Sequence, residues 1–99
     1  MDRTLLPAVA AFAEVAATKS FTKAAVRLGV SPSALSQTIR VLEDRLAVRL
    51  LNRSTRSVSL TEAGRLFLER AAPGLAMIAE AAQAVGEARE RPTGEVRIN

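Results

Sequence analysis

The chain has no cysteine, histidine, tryptophan or tyrosine, and only three phenylalanines in 99 residues. Without cysteine or histidine there can be no Cys/His metal site, thiol nucleophile or imidazole acid–base chemistry, and the carboxylates and serines that remain have no partner base. Neither an enzyme nor a bound cofactor is expected. The missing cysteine also fits a reducing cytoplasm, which is the expected location. Long apolar runs are missing too. The stretch Leu5 to Ala17 (LLPAVAAFAEVAA) is too short to span a bilayer, and Glu14 interrupts it. Met1-Asp2-Arg3 before it lacks the basic excess of a secretory signal. Leu5, Val9, Phe12 and Ala16 instead repeat at helical spacing, so the run is expected to be a first helix capped by Thr4, with Pro7 tolerated in its first turn.

What is present is unevenly charged. The net charge of +4 is modest, but Lys19 to Arg65 holds nine basic residues against the three acids Glu43, Asp44 and Glu62, so the rest of the chain is slightly negative. A positive block of this kind is the footprint of a nucleic-acid contact, although basic side chains can equally solvate a surface. At this length a single small domain is expected, one that would gain from a partner subunit.

Within the basic block, Phe21 to Arg40 (FTKAAVRLGVSPSALSQTIR) is punctuated as two short helices joined by a tight turn. Thr22 can cap a helix that stops at Gly29, and Ser31-Pro32 supplies an N-cap and a first-turn proline for a second helix running to about Leu46. On that second helix Leu35, Ile39, Leu42 and Leu46 share one side, while Ser33, Ser36, Gln37 and Arg40 share the other. Surface helices usually carry Glu and Lys, yet this stripe has no acid before Asp44. Its hydroxyls, amide and guanidinium suit base edges and phosphates in a major groove.

Helical periodicity then stops. In Arg49 to Leu60 (RLLNRSTRSVSL), Leu50 and Leu51 on one side and Val58 and Leu60 on the other can flank a hairpin with its tip at Asn52 to Ser57. Directly after a reading helix, such a hairpin is a wing that would place Arg53 and Arg56 on phosphates or in a minor groove. On its own it would be an ordinary polar loop. From a Thr61 N-cap the chain is helical again, and Leu68, Ala71, Leu75, Ile78, Ala82 and Val85 follow 3-4 spacing as a seam. The seam can pair two copies or pack on its own domain. Pro73-Gly74 should kink or interrupt this helix, since Pro73 crowds the Glu69 carbonyl. Pro92 and Gly94 end the helix, and Glu95 to Asn99 alternates like the start of a strand.

Many separated residues then match one known pattern in order. Phe21-Thr22-Lys23-Ala24-Ala25, Leu28, Val30-Ser31-Pro32-Ser33-Ala34-Leu35-Ser36, Ile39, Leu42-Glu43, Leu46, Leu50, Arg53 and Leu60-Thr61-Glu62-Ala63-Gly64 resemble the N-terminal domain of LysR-type transcriptional regulators. Ala47 departs from the glycine, and Leu51 from the phenylalanine, usual in that family. The resemblance implies a mostly α fold, a winged helix-turn-helix over residues 4–61 with the helix-turn-helix at 21–40 and the wing at 49–60. A linker and dimerisation helix at 62–91 would follow, and then, at 92–99, the start of an effector-binding domain. It further implies DNA contact by Ser31, Pro32, Ser33, Ser36, Gln37 and Arg40, with Arg53 and Arg56 on backbone or minor groove and Thr22 as another phosphate contact.

The expected partners are double-stranded DNA with an interrupted inverted repeat and a second copy joined through the linker helix. No membrane is expected as a partner, and a small-molecule effector is expected only for a longer form. The expected function is sequence-specific, dimeric transcription regulation. Two alternatives stay open: an architectural protein that binds DNA without sequence preference, separated by the ratio of specific to non-specific affinity, and a protein-interaction module on a winged scaffold, separated by whether duplex DNA binds at all.

Overall fold

In a computed structural model, which describes residues 3–54 and 57–90, the helix ends are set by short side chains and left-handed residues. The elements are α1 (Leu5–Thr18), α2 (Phe21–Leu28), α3 (Pro32–Leu46), β1 (Leu51–Arg53), β2 (Val58–Leu60) and α4 (Glu62–Glu90). Ser31 caps α3 as expected, its Oγ accepting from the Ala34 amide at 3.1 Å. The cap of α2 is Ser20, not Thr22: Ser20 is extended and its Oγ accepts from the Lys23 amide at 3.1 Å. That cap moves the start of α2 to Phe21 and leaves Thr22 inside the first turn, exposed. Thr4 precedes α1 in a helical conformation and its side chain makes no capping hydrogen bond, so the expected cap there is corrected as well.

Each of the first three helices ends on a left-handed residue: Lys19 at φ 56°, Gly29 at φ 72° and Ala47 at φ 58°. At Ala47 the amide bonds the Asp44 carbonyl and the Val48 amide bonds the Glu43 carbonyl, the paired closure that a glycine normally completes. Ala47 thus takes the shape expected of the glycine it replaces, at the steric cost of a Cβ in left-handed backbone. Replacing it with glycine should raise stability by about 0.5–1 kcal/mol after the added unfolded-state entropy is subtracted. Thermal unfolding measures this as a melting point several degrees higher; an unchanged or lower value would contradict the strain argument.

α1 buries Ala8, Val9, Ala11, Phe12 and Val15 against α2 and α3. The buried face of α2 carries only Ala24 and Ala25, small enough for its neighbours to approach closely. From α3 come Leu35, Ile39 and Leu42, and Leu50 and Leu51 close the core from the wing side. Phe12, Val15, Leu35, Ile39, Leu42, Leu50 and Leu51 are almost wholly enclosed. Each such side chain stabilises the fold by roughly 1.5–3 kcal/mol relative to exposure. Leu46, expected on the same face, is 36% exposed, because it ends α3 beyond the reach of α1.

β1 and β2 pair antiparallel with Leu51 opposite Leu60 and Arg53 opposite Val58. The hairpin tip is shorter than expected. Asn52 lies inside β1, and Ser54 and Ser57 tie the loop through Ser54 N to Ser57 O at 3.1 Å and Ser57 N to Ser54 Oγ at 3.0 Å. Thr61 caps α4 by accepting from the Gly64 amide at 2.9 Å.

The 29-residue α4 runs unbroken through Pro73, so of the expected kink or interruption the interruption does not occur. Pro73 and Glu69 are both exposed, which leaves water to solvate the Glu69 carbonyl that Pro73 cannot bond, and Phe67, Leu68, Ala71 and Leu75 hold the first half of the helix on the core. Phe67 meets Phe12 with ring centroids 5.8 Å apart. The seam therefore divides. Leu68, Ala71 and Leu75 pack on their own domain, whereas Ile78 (51% exposed), Ala82 and Val85 (69% exposed) face out. No helix among the described residues is long and apolar enough to cross a membrane.

Candidate nucleic-acid interface

The candidate interface is built on α3. With Leu35, Ile39 and Leu42 held in the core, helical geometry turns Ser33, Gln37 and Arg40 outward, and all three are exposed. Their side chains are not spent on any other described residue, so an amide, a hydroxyl and a guanidinium lie unpaired on one face. Ser31 and Pro32 are exposed at the start of the same helix; the Ser31 oxygen already accepts the Ala34 amide, so its hydroxyl hydrogen is what it can offer a ligand. Thr22 is exposed in the first turn of α2, beside Lys23 and Arg27. Arg27 itself pairs with Glu14 at 2.6 Å across α1 and α2, with 65% of its side-chain surface still open to solvent. A surface pair of this kind contributes little to stability.

Ser36 and Arg53 are placed differently from the rest. Ser36 is half-buried on the wing side of α3, and its Oγ accepts from Arg53 Nη1 at 3.0 Å. The Arg53 guanidinium stacks over the Phe21 ring at 5.2 Å and lies 3.5 Å from a Glu43 carboxylate oxygen. Only 21% of that side chain is exposed. Desolvation by burial holds the Arg53 guanidinium below its ordinary pKa; Glu43 opposes the shift, and Arg40 and Arg49 add to it. Arg56 lies outside the described residues, as do residues 91–99, where the expected start of a further domain falls.

Two residues of this region were not singled out from the sequence as parts of the site. Glu43 is buried, and one carboxylate oxygen accepts the amides of Leu50 at 2.8 Å and Leu51 at 3.2 Å, fastening the end of α3 to the start of the wing. Beyond its place in the family pattern, nothing in the sequence shows what Glu43 holds, since both amides come from seven and eight residues further along the chain. Arg49 lines an open cleft of about 510 Å³ with Arg40 and Arg53, where Glu43 and Asp44 temper the positive charge. For Arg53 a signal did exist: it is two residues from the buried Leu51 in the same strand, and period-two alternation puts both on one face. Among the described residues there is no cluster of acids able to hold a metal ion.

This arrangement of helices, wing and long last helix occurs in known proteins. Residues 6–65 match the sequence profile of the bacterial regulatory helix-turn-helix proteins of the lysR family. The HTH-type transcriptional regulator PgrR of Escherichia coli is 45% identical over 98 residues, which cover 99% of this chain and 33% of PgrR. The transcriptional activator AaeR of the same bacterium is 42% identical over 93 residues, 94% of this chain and 30% of AaeR. This chain thus spans about a third of the length of these curated relatives. Among solved structures, oxidized Corynebacterium glutamicum OxyR superposes with a TM-score of 0.80 at 35% identity over 90% of this chain and 27% of OxyR. The DNA-binding domain of BenM, in its complex with catB site 1 DNA, gives 0.77 at 29% identity over 94% of this chain and 100% of that one. The chain belongs to the lysR family of bacterial regulatory helix-turn-helix proteins.

Proposed function

We propose that this chain binds duplex DNA in a sequence-specific manner as a dimer and serves transcription regulation in the cytoplasm, without catalysis. The observation that carries this reading is the outer face of α3, where Ser33, Gln37 and Arg40 are exposed and unspent while the opposite face is locked into the core. A helix so presented fits the major groove, with Gln37 and Arg40 on base edges. Ser31, Pro32 and Thr22, at the starts of α3 and α2, lie against the phosphate backbone in this arrangement. The regulators among its relatives and the lack of histidine and cysteine in the sequence support a non-enzymatic role. That BenM and other relatives were solved in complexes with DNA supports the same reading.

Selection of bound sequences from a random duplex pool tests it. An interrupted inverted repeat is expected, and Gln37→Ala should cost about 1–3 kcal/mol at the preferred site and flatten preference at one base position. A flat pool would refute specific binding, and an unaltered preference in the variant would remove Gln37 from the base edges.

For the dimer, the exposed end of the seam is the contact, because Leu68, Ala71 and Leu75 are already engaged on their own core. Ile78→Glu with Val85→Glu should bury charge across a shared face and yield a monomer in sedimentation with the first three helices intact by circular dichroism. A persisting dimer would place the contact elsewhere.

A further inference from the structure

Ser36 and Arg53 hold an arrangement that a simple list of DNA contacts does not capture. A serine hydroxyl has one hydrogen to give and two lone pairs to receive with. Arg53 Nη1 occupies one lone pair of Ser36 at 3.0 Å, and no described residue accepts the hydroxyl hydrogen. Arg53 cannot easily leave. Its second nitrogen faces Glu43 at 3.5 Å, and its plane lies over Phe21 at 5.2 Å. Glu43 in turn is anchored by the Leu50 and Leu51 amides, so the fork is built into the junction of α3 and β1.

We propose that Arg53 is a positioning residue that acts through Ser36: by occupying one lone pair of the hydroxyl oxygen from inside and polarising its O–H bond, it favours Ser36 as a hydrogen-bond donor to an acceptor atom of duplex DNA. This rests on the reading of α3 as the DNA-contacting helix. A cationic donor on the oxygen polarises the O–H bond and strengthens the bond it makes outward. Ser36 then selects purine N7, guanine O6, thymine O4 or a phosphate oxygen, and disfavours the amino groups of adenine and cytosine. The partial burial of Arg53 and the downward pull of desolvation on its pKa agree with a guanidinium turned to the protein rather than to the DNA backbone.

The test compares the unaltered chain with Ser36→Ala, Arg53→Lys, Arg53→Ala and the double variant Ser36→Ala/Arg53→Lys, each measured on the selected consensus duplex, on its single-base variants, and across salt concentrations. Ser36→Ala should lose about tenfold in affinity. Arg53→Lys, which keeps the charge beside Glu43 but not the fork, should lose a similar factor, and the double variant should lose little more than either single one. A loss confined to one base position assigns the acceptor to a base edge; an equal loss on every sequence assigns it to a phosphate oxygen. Arg53→Ala, with its folding checked by thermal unfolding, should leave the salt slope unchanged. A slope reduced by about one counterion would put Arg53 on a phosphate and overturn the proposal. So would unaltered binding by Ser36→Ala or by Arg53→Lys, or losses that add in the double variant. These results leave the DNA reading standing. Failure of the unaltered chain to select any consensus overturns that reading, and this inference falls with it.

Discussion

Gly64→Ala should destabilise the protein by about 3 kcal/mol or more, although alanine is the better helix former by about 1 kcal/mol. The expected sign comes from what stands opposite the missing side chain. A Cβ on Gly64 would overlap the Leu50 carbonyl oxygen and lie 2.9 Å from its carbon and 3.2 Å from its Cα, all of it backbone. The backbone cannot retreat. The Leu50 and Leu51 amides are held by Glu43 on one side, and on the other Thr61 donates its amide to the Leu50 carbonyl at 3.0 Å and its hydroxyl to the Arg49 carbonyl at 2.7 Å. The first turn of α4 must therefore move off the wing, and Phe67, Leu68 and Ala71 would lose their seats on the core with it. Gly86, in the same helix, is the matched control, since a Cβ there meets nothing within 4 Å. Gly86→Ala should gain up to about 1 kcal/mol from propensity alone. Thermal unfolding of the two variants separates the effects: in a domain of this size Gly64→Ala should melt roughly 12 °C or more below the parent. If both substitutions raised the melting point, the close approach of α4 to Leu50 would be wrong.

Glu43→Ala is expected to cost a comparable amount, about 3–5 kcal/mol, for an electrostatic reason. The carboxylate satisfies two backbone amides that have left water and sits beside a guanidinium only 21% exposed. Removing it leaves two donors without an acceptor and a partly desolvated cation without its counter-charge. Glu43→Gln keeps an acceptor oxygen for the amides but turns a neutral amide toward Arg53, so it should cost less than alanine. Denaturant unfolding gives both values. Hydrogen exchange at Leu50 and Leu51 locates them, since those two amides should lose protection in Glu43→Ala before the amides of α1 do. Slow exchange at both positions in the alanine variant would mean that Glu43 is not what holds the turn into the wing.

How much of this was readable beforehand depends on how far apart the deciding groups are along the chain. The helix-turn-helix was readable because its signals are local. Ser31, Pro32 and Gly29 act on amides and carbonyls within a few residues, and the apolar spacing of Leu35, Ile39 and Leu42 fixes which side of α3 faces inward and so which side stays exposed. Even a local signal admits competition. Ser20 and Thr22 are both able caps, and Ser20 holds the position, with Phe21 just inside it half-buried against the core.

The seam shows the limit of periodicity. Leu68 to Val85 repeats evenly in sequence, but the globular domain covers only the first half of α4, so identical spacing is spent on the core at Leu75 and left open at Val85.

The chain by itself determined the helices, the wing, the exposed stripe on α3 and the family pattern, because each depends on neighbours in sequence or on one amphipathic period. Tertiary structure alone decided that Glu43 receives the Leu50 and Leu51 amides, that Arg53 grips Ser36 rather than standing free on the wing, and that Gly64 allows no side chain. Those outcomes depend on distances between segments 7 to 17 residues apart, which only the docking of the wing on α3 and of α4 on α1 and the wing brings within hydrogen-bond or van der Waals range.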